Sequence, residues 1–308
     1  MFFSLLHAFL LFFCVVLLVR MMMPTHYALL NPYAATLDNL LNRLLQALRP
    51  AFPMPAKPLC GILLVLALCA DAVMLSRMNQ NVMGVSAFMV YTFSSATFAQ
   101  WFIIALLGLF RHLLMILTGV LVLRIWHRSQ HLPGYSGDLL RLAIYPVGRF
   151  SLSVQWLVLI AGTLSLATLM MFCANSEVQY PMEALKQYPG FWAEVAASTT
   201  LSTWLPGMRL LAMAGLMILD ILSELHGFVV NLIIFSIINA IARNQSLTYF
   251  INDLFRLLRG PLPELRLGFF YLTPLLLLLV LTVASGILPA LFMALLEGIV
   301  ALGGFYVV

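Results

Sequence analysis

Charged residues are scarce in this sequence. Asp, Glu, Lys and Arg make up only 9% of its 308 residues, whereas 63% are hydrophobic. A soluble domain is about one quarter charged and about half apolar, so this composition excludes a soluble domain of appreciable size. The net charge of +5 is small, and the basic residues are not gathered on a soluble face. Nucleic acid is therefore not an expected partner.

Cysteine is also rare, and the four cysteines follow no metal-binding spacing. Cys14, Cys60, Cys69 and Cys173 lie in or beside apolar stretches, without a C-x-x-C pair or a His-rich tract nearby. We expect them to be small buried apolar side chains rather than disulfides or zinc ligands. The local fingerprints of phosphate-binding loops, zinc proteases and serine hydrolases are absent from the sequence, so we expect no enzyme and no bound metal.

Long apolar runs are what the sequence does contain. A helix crosses the hydrocarbon core of a bilayer with about 20 predominantly apolar residues. Unbroken runs of this length predict helices rather than barrel strands, which alternate apolar and polar residues. We predict an all-α, polytopic membrane bundle of about six transmembrane helices, at Phe2–Val19, Leu59–Leu75, Phe102–Leu123, Leu152–Phe172, Ile221–Ile241 and Phe269–Leu288.

The distribution of basic residues predicts the orientation. The first, third and fifth connections between spans each carry four of the sixteen Lys and Arg residues, whereas the second and fourth carry few. The positive-inside rule places the three basic connections in the cytoplasm and the N-terminus outside. The first run lacks a basic segment before it and a clear cleavage site, so we expect a retained span rather than a signal peptide.

The three basic connections share a short pattern. Asp138–Pro146 and Asp253–Pro261 both read Asp-Leu-x-Arg-Leu with a proline eight residues after the aspartate, and Asn42–Pro50 is a looser copy. We expect the Asx residue at a helix start, leucines on one face, arginines on the other and proline at the end. Such a helix lies flat in the membrane interface and contacts lipid headgroups or a partner through Arg43, Arg49, Arg141, Arg149, Arg256 and Arg259.

This pattern predicts three repeat units of span, cytoplasmic amphipathic helix and span. The competing interpretation is that polytopic membrane proteins in general have basic amphipathic loops. The predicted boundaries are a first unit at 1–77, an outer connection at 78–99, a second unit at 100–175, an outer connection at 176–206, a third unit at 207–288 and an apolar tail at 289–308.

With its repeat, the chain resembles the YggT (YlmG) family of small bacterial and plastid membrane proteins. In that family a span ends near an arginine, an Asn-Pro step precedes an amphipathic helix that closes on Arg-Pro, and the second span opens with Leu-Ser-Pro. The first unit here has Arg20, Asn31-Pro32 and Arg49-Pro50, and the third has Leu272-Thr273-Pro274.

The middle unit departs from the family pattern. It has Leu152-Ser153-Val154 in place of Leu-Ser-Pro, and Pro133-Gly134 where Asn-Pro is expected. Family members usually carry two units, so three would be a further departure. The resemblance implies a multi-pass protein of the bacterial inner membrane. The family is linked to osmotic-stress tolerance, to cell division and nucleoid distribution, and in plastids to assembly of a haem-bearing cytochrome.

Charged residues inside predicted spans are candidates for function, because each costs about 2.5–3.5 kcal/mol on insertion scales. Asp220 and Glu224 are one helical turn apart with His226 close behind, at the predicted outer end of the fifth span. Asp220 and Glu224 share one helix face and could bind a cation or relay a proton, or water and headgroups could simply solvate them.

Arg111 and His112 lie in the middle of the third predicted span. We expect an ion pair of Arg111 with Asp71 in the second span or with Glu224 in the fifth, with a conduction or relay role as the alternative.

Three histidines, His7, His112 and His226, each fall in the first span of a unit. Histidines on facing helices can ligate haem, but lone helical histidines more often contact a carbonyl or water. We therefore expect no cofactor, with haem as the alternative.

These features favour a scaffold or assembly protein that associates with another integral membrane protein or a larger membrane complex and has no catalysis of its own. The alternative is a channel or transporter subunit that uses the in-span charges. The two hypotheses differ in whether those charges line a wet cavity or form dry pairs.

Overall fold

The protein is predominantly helical. A computed structural model describes residues 2–22, 31–77, 82–86, 89–92, 97–129, 131–174, 204–242, 245–262, 266–267, 270–271 and 273–306. In these residues a long, a shorter and a long helix follow one another three times. The helices are α1 Phe2–Met22, α2 Pro32–Leu48, α3 Ala56–Arg77, α4 Phe98–Trp126, α5 Gly134–Ala143, α6 Leu152–Ala174, α7 Pro206–Ala242, α8 Gln245–Arg259 and α9 Thr273–Gly303.

Short β-hairpins occupy two of the connections. β1 (Val82–Ser86) pairs with β2 (Met89–Thr92) in antiparallel register, within the predicted outer connection at 78–99. β3 (Arg266–Leu267) pairs with β4 (Phe270–Tyr271) just before α9. The predicted outer connection at 176–206 lies outside the described residues except at its last three positions.

Five described helices are long and apolar enough to cross a membrane: α3, α4, α6, α7 and α9. The described apolar part of α1, Leu6–Met22, is shorter, so the first of the six predicted spans stays a prediction. The bounds of α3, α4 and α6 differ from the predicted spans by only a few residues, since apolar periodicity extends to each helix end.

The last two long helices extend well beyond their predicted spans. α7 begins at Pro206 rather than near Ile221, because proline is favoured at a first helical position and the following segment is rich in Leu, Met and Ala, all good helix formers. α9 continues through Pro289 to Gly303, so most of the predicted tail at 289–308 belongs to the same helix as the last predicted span. At 37 and 31 residues, both helices exceed the length of a straight crossing, about 20 residues.

The predicted helix starts in the basic connections are also wrong. Asn42, Asp138 and Asp253 all lie inside their helices, α2, α5 and α8. Each helix begins earlier in the sequence. In α2, for example, Asn31 caps the helix start and Pro32 is the first helical residue. The predicted ends are correct, since α2 stops before Pro50, α5 before Pro146 and α8 before Pro261, where the missing N–H ends the helical bonding.

The chain forms two compact units that do not follow the predicted repeat boundaries. Unit 1 comprises Met1–Asn79, Ala96–Val158 and Gln245–Pro261, and unit 2 comprises Gln80–Ser95, Leu159–Asn244 and Leu262–Val308. In unit 1, α1 packs along α3, and α3 packs along α4. A core of Leu17, Leu41, Leu45, Leu59 and Cys60 joins α1, α2 and α3, and its burial is the main stabilising contribution there.

In unit 2, α7 and α9 pack as an antiparallel helix pair. Leu205 N–H donates to the Phe305 carbonyl at 3.0 Å, so the start of α7 meets the end of α9. The core at this end is made of Trp204, Ala212, Leu216, Met293, Leu296 and Val300. Met293, Leu296 and Val300 fall in the predicted tail, yet they pack in this core. That segment is therefore a structural part of the α7–α9 pair.

Candidate functional site

The three amphipathic helices of the basic connections lie together in unit 1. α5 contacts both α2 and α8, although more than one hundred residues separate α5 from α8 in sequence. We call this group, α2, α5 and α8, the basic helix cluster. Hydrogen bonds at the helix ends hold the three helices in place.

The start of α2 is fixed by Asn31. Its side-chain oxygen accepts hydrogen bonds from the N–H groups of Tyr33 (3.0 Å) and Ala34 (3.1 Å), as an N-cap residue does. The side-chain amide of Asn31 also donates to the Tyr135 carbonyl in α5, at 2.6 Å. One buried side chain therefore caps α2 and joins α2 to α5.

Aromatic contacts join α2 to both other helices. The ring of Tyr33 lies edge-on to the ring of Tyr135, with centroids 6.2 Å apart, and to the ring of Phe250 in α8, at 4.9 Å. Such pairs contribute about 0.5–1.5 kcal/mol beyond area burial. Burial, and to a lesser extent the charge of Asp253, raise the pKa of the Tyr33 phenol.

The start of α5 is capped by a residue of another helix. The residue before α5, Pro133, makes no side-chain cap bond. Instead the carboxylate of Asp253 in α8 accepts hydrogen bonds from the N–H and the hydroxyl of Ser136, both at 2.8 Å. Its second oxygen accepts from Arg256 at 2.8 Å. A negative charge is favourable at a helix start, so Asp253 acts as a cap supplied in trans.

The end of α8 is held by α4. The Trp126 indole N–H donates to the carbonyls of Leu258 and Arg259, both at 3.2 Å, and the His127 ring N–H donates to the Leu257 carbonyl at 2.6 Å. These bonds satisfy carbonyls that a helix end otherwise leaves without partners. Gly260 follows in a left-handed conformation, with φ of 56°.

The arginines of the cluster, together with Arg49 directly after α2 and Arg149 in the short 3-10 turn Val147–Arg149 after α5, differ in exposure. Arg43, Arg49, Arg149 and Arg256 are exposed, whereas Arg141 and Arg259 are half-buried. Arg149 lies over the Tyr145 ring, with the guanidinium carbon 5.1 Å from the ring centroid. Arg256 donates to Asp253, whereas Arg43, Arg49 and Arg149 are exposed at the surface of unit 1.

The in-span carboxylate of unit 1, Asp71, is fully buried and pairs with His7. The Nδ1 atom of His7 lies 2.6 Å from the Asp71 carboxylate, and the His7 side chain is 25% exposed. Asp71 therefore has a partner on α1 that the sequence analysis considered only for haem. A pairing of Arg111 with Asp71 or Glu224 stays a prediction.

Arg111 and His112 lie in the middle of α4, as predicted, and both are half-buried. The Nδ1–H of His112 donates to the Gly108 carbonyl one turn earlier, at 3.1 Å. His112 also lines a cavity of about 280 Å³ that is bounded by parts of α1, α2, α4 and α5. We call it the α1 cavity.

Asp220, Glu224 and His226 lie near the middle of α7, because the helix begins at Pro206 and so continues beyond the predicted outer end of the span. Glu224 is exposed and His226 is half-buried, and the side chain of Asp220 lies outside the described part of the structure. The structure thus places the three on one continuous helix without establishing a shared site.

Metal and haem ligation were weighed from the sequence. Among the residues that the structure describes, no group of three His, Cys, Asp or Glu side chains could hold a metal ion. His7 and His112 each use Nδ1 in a contact inside unit 1, while His226 belongs to unit 2. Cys14 and Cys60 are buried and free, and Cys69 is free and half-buried.

Sequence reasoning missed the polar residues that hold the cluster and the cavity together. Ser136 was not singled out, and Asp38 was overlooked although it lies 2.9 Å from Arg20. The sequence signal for the pair of Asp38 with Arg20 was that Asp38 is the lone acid of a basic amphipathic helix.

Comparisons with protein-family models, with curated proteins and with solved structures find no match to this chain. The resemblance to the YggT family therefore stays a prediction that rests on the quoted motifs.

Proposed function

We propose that this chain is a scaffold or accessory protein of a bacterial inner membrane, which holds another integral membrane protein against its basic helix cluster and catalyses no reaction. The observation that carries the proposal is the convergence of α2, α5 and α8 in unit 1, with Arg43, Arg49 and Arg149 exposed. A surface assembled from three separated segments, each capped or anchored by another helix, is suited to holding a partner in one geometry.

Charge supports this role. Each basic residue near an anionic membrane surface contributes about 1 kcal/mol to its attraction. The three exposed arginines, Arg43 on α2, Arg49 directly after α2 and Arg149 in the turn after α5, therefore hold the cluster against headgroups. They leave the cluster positioned to contact the cytoplasmic edge of a neighbouring membrane protein.

The environment of Asp71 favours a scaffold over a channel. A conduction path requires ionisable groups that face water or a polar cavity. Asp71 is instead fully buried and paired with His7 at 2.6 Å, and the neighbouring α1 cavity has an almost wholly apolar lining. A dry pair of this kind serves the packing of α1 against α3.

The exposed apolar face of α9 adds a second surface for neighbours. Its members recur every three or four residues, so each lies beside the one before it and together they form a continuous apolar stripe along the helix. Lipid or a partner helix must cover it in a membrane. Its members are Leu275, Leu279, Val283, Ile287, Leu291, Leu295, Ile299 and Leu302.

Orientation is tested by cysteine labelling in intact cells. Single cysteines placed at Arg43, Arg141 and Arg256 will be shielded from a membrane-impermeant thiol reagent, while one at Glu183 will react. The four native cysteines are first replaced by alanine or serine. Labelling of the first three positions with Glu183 shielded would reverse the orientation and remove the cytoplasmic surface that the proposal needs.

The partner surface is tested by photo-crosslinking in native membranes. A benzophenone amino acid at Arg43, Arg49 or Arg149 will yield the same discrete protein adduct from all three positions. The matched control is Arg77, an exposed basic residue at the end of α3 that lies outside the cluster. Adducts with lipid alone, or equal protein adducts from Arg77, would contradict a partner-binding role for the cluster.

A further inference from the structure

The α1 cavity has the composition of a site for hydrocarbon. Its lining follows α1 from Ala8 to Arg20 and is completed by α2, α4 and α5. Apart from Arg20, Asp38 and His112, every lining residue is Ala, Val, Leu, Ile or Phe. An apolar cavity has no partners for water and takes apolar ligands instead.

The dimensions of the cavity match one lipid chain. Ala8 and Arg20 are twelve residue steps apart in α1, which corresponds to about 18 Å of helix at 1.5 Å per residue. One leaflet of the hydrocarbon core is about 15 Å thick, half of the roughly 30 Å total. The volume of about 280 Å³ lies just below the roughly 300–1,000 Å³ range of small-molecule pockets, which suits a single slender chain.

The two ends of the cavity differ in polarity. Arg20 lies in the last turn of α1, where its Nε forms an ion pair with an Asp38 carboxylate oxygen 2.9 Å away and a terminal N–H reaches the side-chain oxygen of Asn42 at 3.4 Å. A guanidinium carries five N–H donors, so donors remain for a phosphate oxygen. His112 marks the other end, since it lies close to His7 and Asp71.

The cavity is open at the side of unit 1. Phe12, which lines it, is 54% exposed, so the outer surface of α1 forms part of the rim. In a membrane this rim faces the hydrocarbon of the bilayer, and an acyl chain can enter sideways while its headgroup stays at the interface.

From this geometry we propose that the α1 cavity binds one phospholipid, with an acyl chain along α1 between Ala8 and Arg20 and the phosphate at Arg20. α2 and α5 are amphipathic, and their apolar faces, including Leu37 and Ala143, form the wall of this site. The bound lipid thereby fills the space between the basic helix cluster and α1.

The test is native mass spectrometry of the full chain in mild detergent with added palmitoyl-oleoyl phosphatidylglycerol. The wild-type chain will keep one lipid under collision energies that remove all others. Ala143→Phe and Ala8→Phe fill the cavity from opposite ends, and each will reduce this retention at least about tenfold, because burial of two or more methylene groups is lost.

The matched control is Ala70→Phe, which places the same ring on an exposed face of α3 and will leave retention unchanged. The double variant Arg20→Gln with Asp38→Asn removes both charges and keeps the volume. It will reduce retention about tenfold, since the charge-assisted bond to phosphate is lost.

If both cavity-filling variants retain as much lipid as the control, the proposed site is wrong. Unchanged retention in the double variant would overturn the phosphate contact. Having two filling positions keeps the test decisive if one variant does not fold. A wild-type chain that keeps no lipid would overturn this inference and leave the scaffold proposal intact, because that proposal rests on the exposed arginines.

Discussion

The carboxylate of Asp253 accepts two 2.8 Å hydrogen bonds from Ser136, 117 residues earlier in the chain. The bonded groups are the backbone N–H and the hydroxyl at the start of α5, a helix whose own preceding residue makes no side-chain cap bond. A cap supplied by a distant helix couples the formation of α5 to the docking of α8.

Asp253 and Asp138 occupy the same place in the Asp-Leu-x-Arg-Leu pattern, but we expect them to differ in their effect on stability. Asp253→Ala will lower the free energy of unfolding by about 1.5–3 kcal/mol, as hydrogen bonds to a charged group are lost. Asp138 is 56% exposed and 3.8 Å from Arg141, so Asp138→Ala will cost about 0.5 kcal/mol or less. Unfolding by sodium dodecyl sulfate measures both, and equal losses would refute the trans cap.

Gly260 is expected to tolerate no side chain. It has φ of 56°, and an added Cβ would collide with the Trp126 indole. Gly304 has φ of 63° with no atom near its Cβ position, so Gly304→Ala will cost only the strain of a left-handed residue, about 1–2 kcal/mol.

Gly260→Ala will cost more than Gly304→Ala and will also shift the fluorescence of Trp126, since the ring must move away from its bonds to Leu258 and Arg259. The emission of Trp126→Phe, measured with and without Gly260→Ala, isolates this residue. An unchanged Trp126 contribution would mean that the contact is absent.

The His7–Asp71 pair is expected to serve structure rather than proton transfer. His7→Ala leaves a buried carboxylate without its partner and will destabilise the protein by about 3–5 kcal/mol. The double variant His7→Phe with Asp71→Leu replaces the pair with apolar groups, and such exchanges are neutral or stabilising. The double variant will recover stability and keep the crosslinked partner. If it folds and loses that partner, the pair has a role beyond packing.

Tyr33 is expected to make the stability of the cluster depend on alkaline pH. Burial, with a smaller effect of Asp253, raises the pKa of its phenol above the ordinary value of about 10. The neutral phenol is thus favoured by folding, so this contribution is fully present below about pH 10 and is lost as pH rises through the raised pKa. Unfolding followed against pH will show a decline that is weaker in Tyr33→Phe. Identical profiles would show that Tyr33 is not buried against Phe250 and Tyr135.

The helical character of the chain and its basic amphipathic helices are predictable from local sequence. Apolar runs placed α3, α4 and α6 to within a few residues, and the prolines at 50, 146 and 261 located the ends of α2, α5 and α8. These features depend on periodicity and on the missing N–H of proline, which are local properties.

The capping and pairing of distant residues is not predictable in this way. Asp253 resembles a helix-start residue in sequence, yet it lies within α8 and caps α5, because the tertiary packing brings the two helices together. His7 and Asp71 are 64 residues apart, and sequence alone made Arg111 the better partner for a buried carboxylate. The continuation of α9 through Pro289 follows from its apolar surroundings, where neighbouring groups tolerate a proline within a helix.

The central claim is that the exposed arginines of the basic helix cluster hold a membrane partner. The most direct measurement is purification of the protein from its own membranes in mild detergent, with mass spectrometry of co-purifying chains. We compare the wild type with a triple variant carrying glutamine at positions 43, 49 and 149 and with a matched triple variant carrying lysine there. We predict a stoichiometric partner in the wild type, retained with lysine and lost with glutamine. A homo-oligomer without other chains, identical in all three, would contradict the claim and favour a channel.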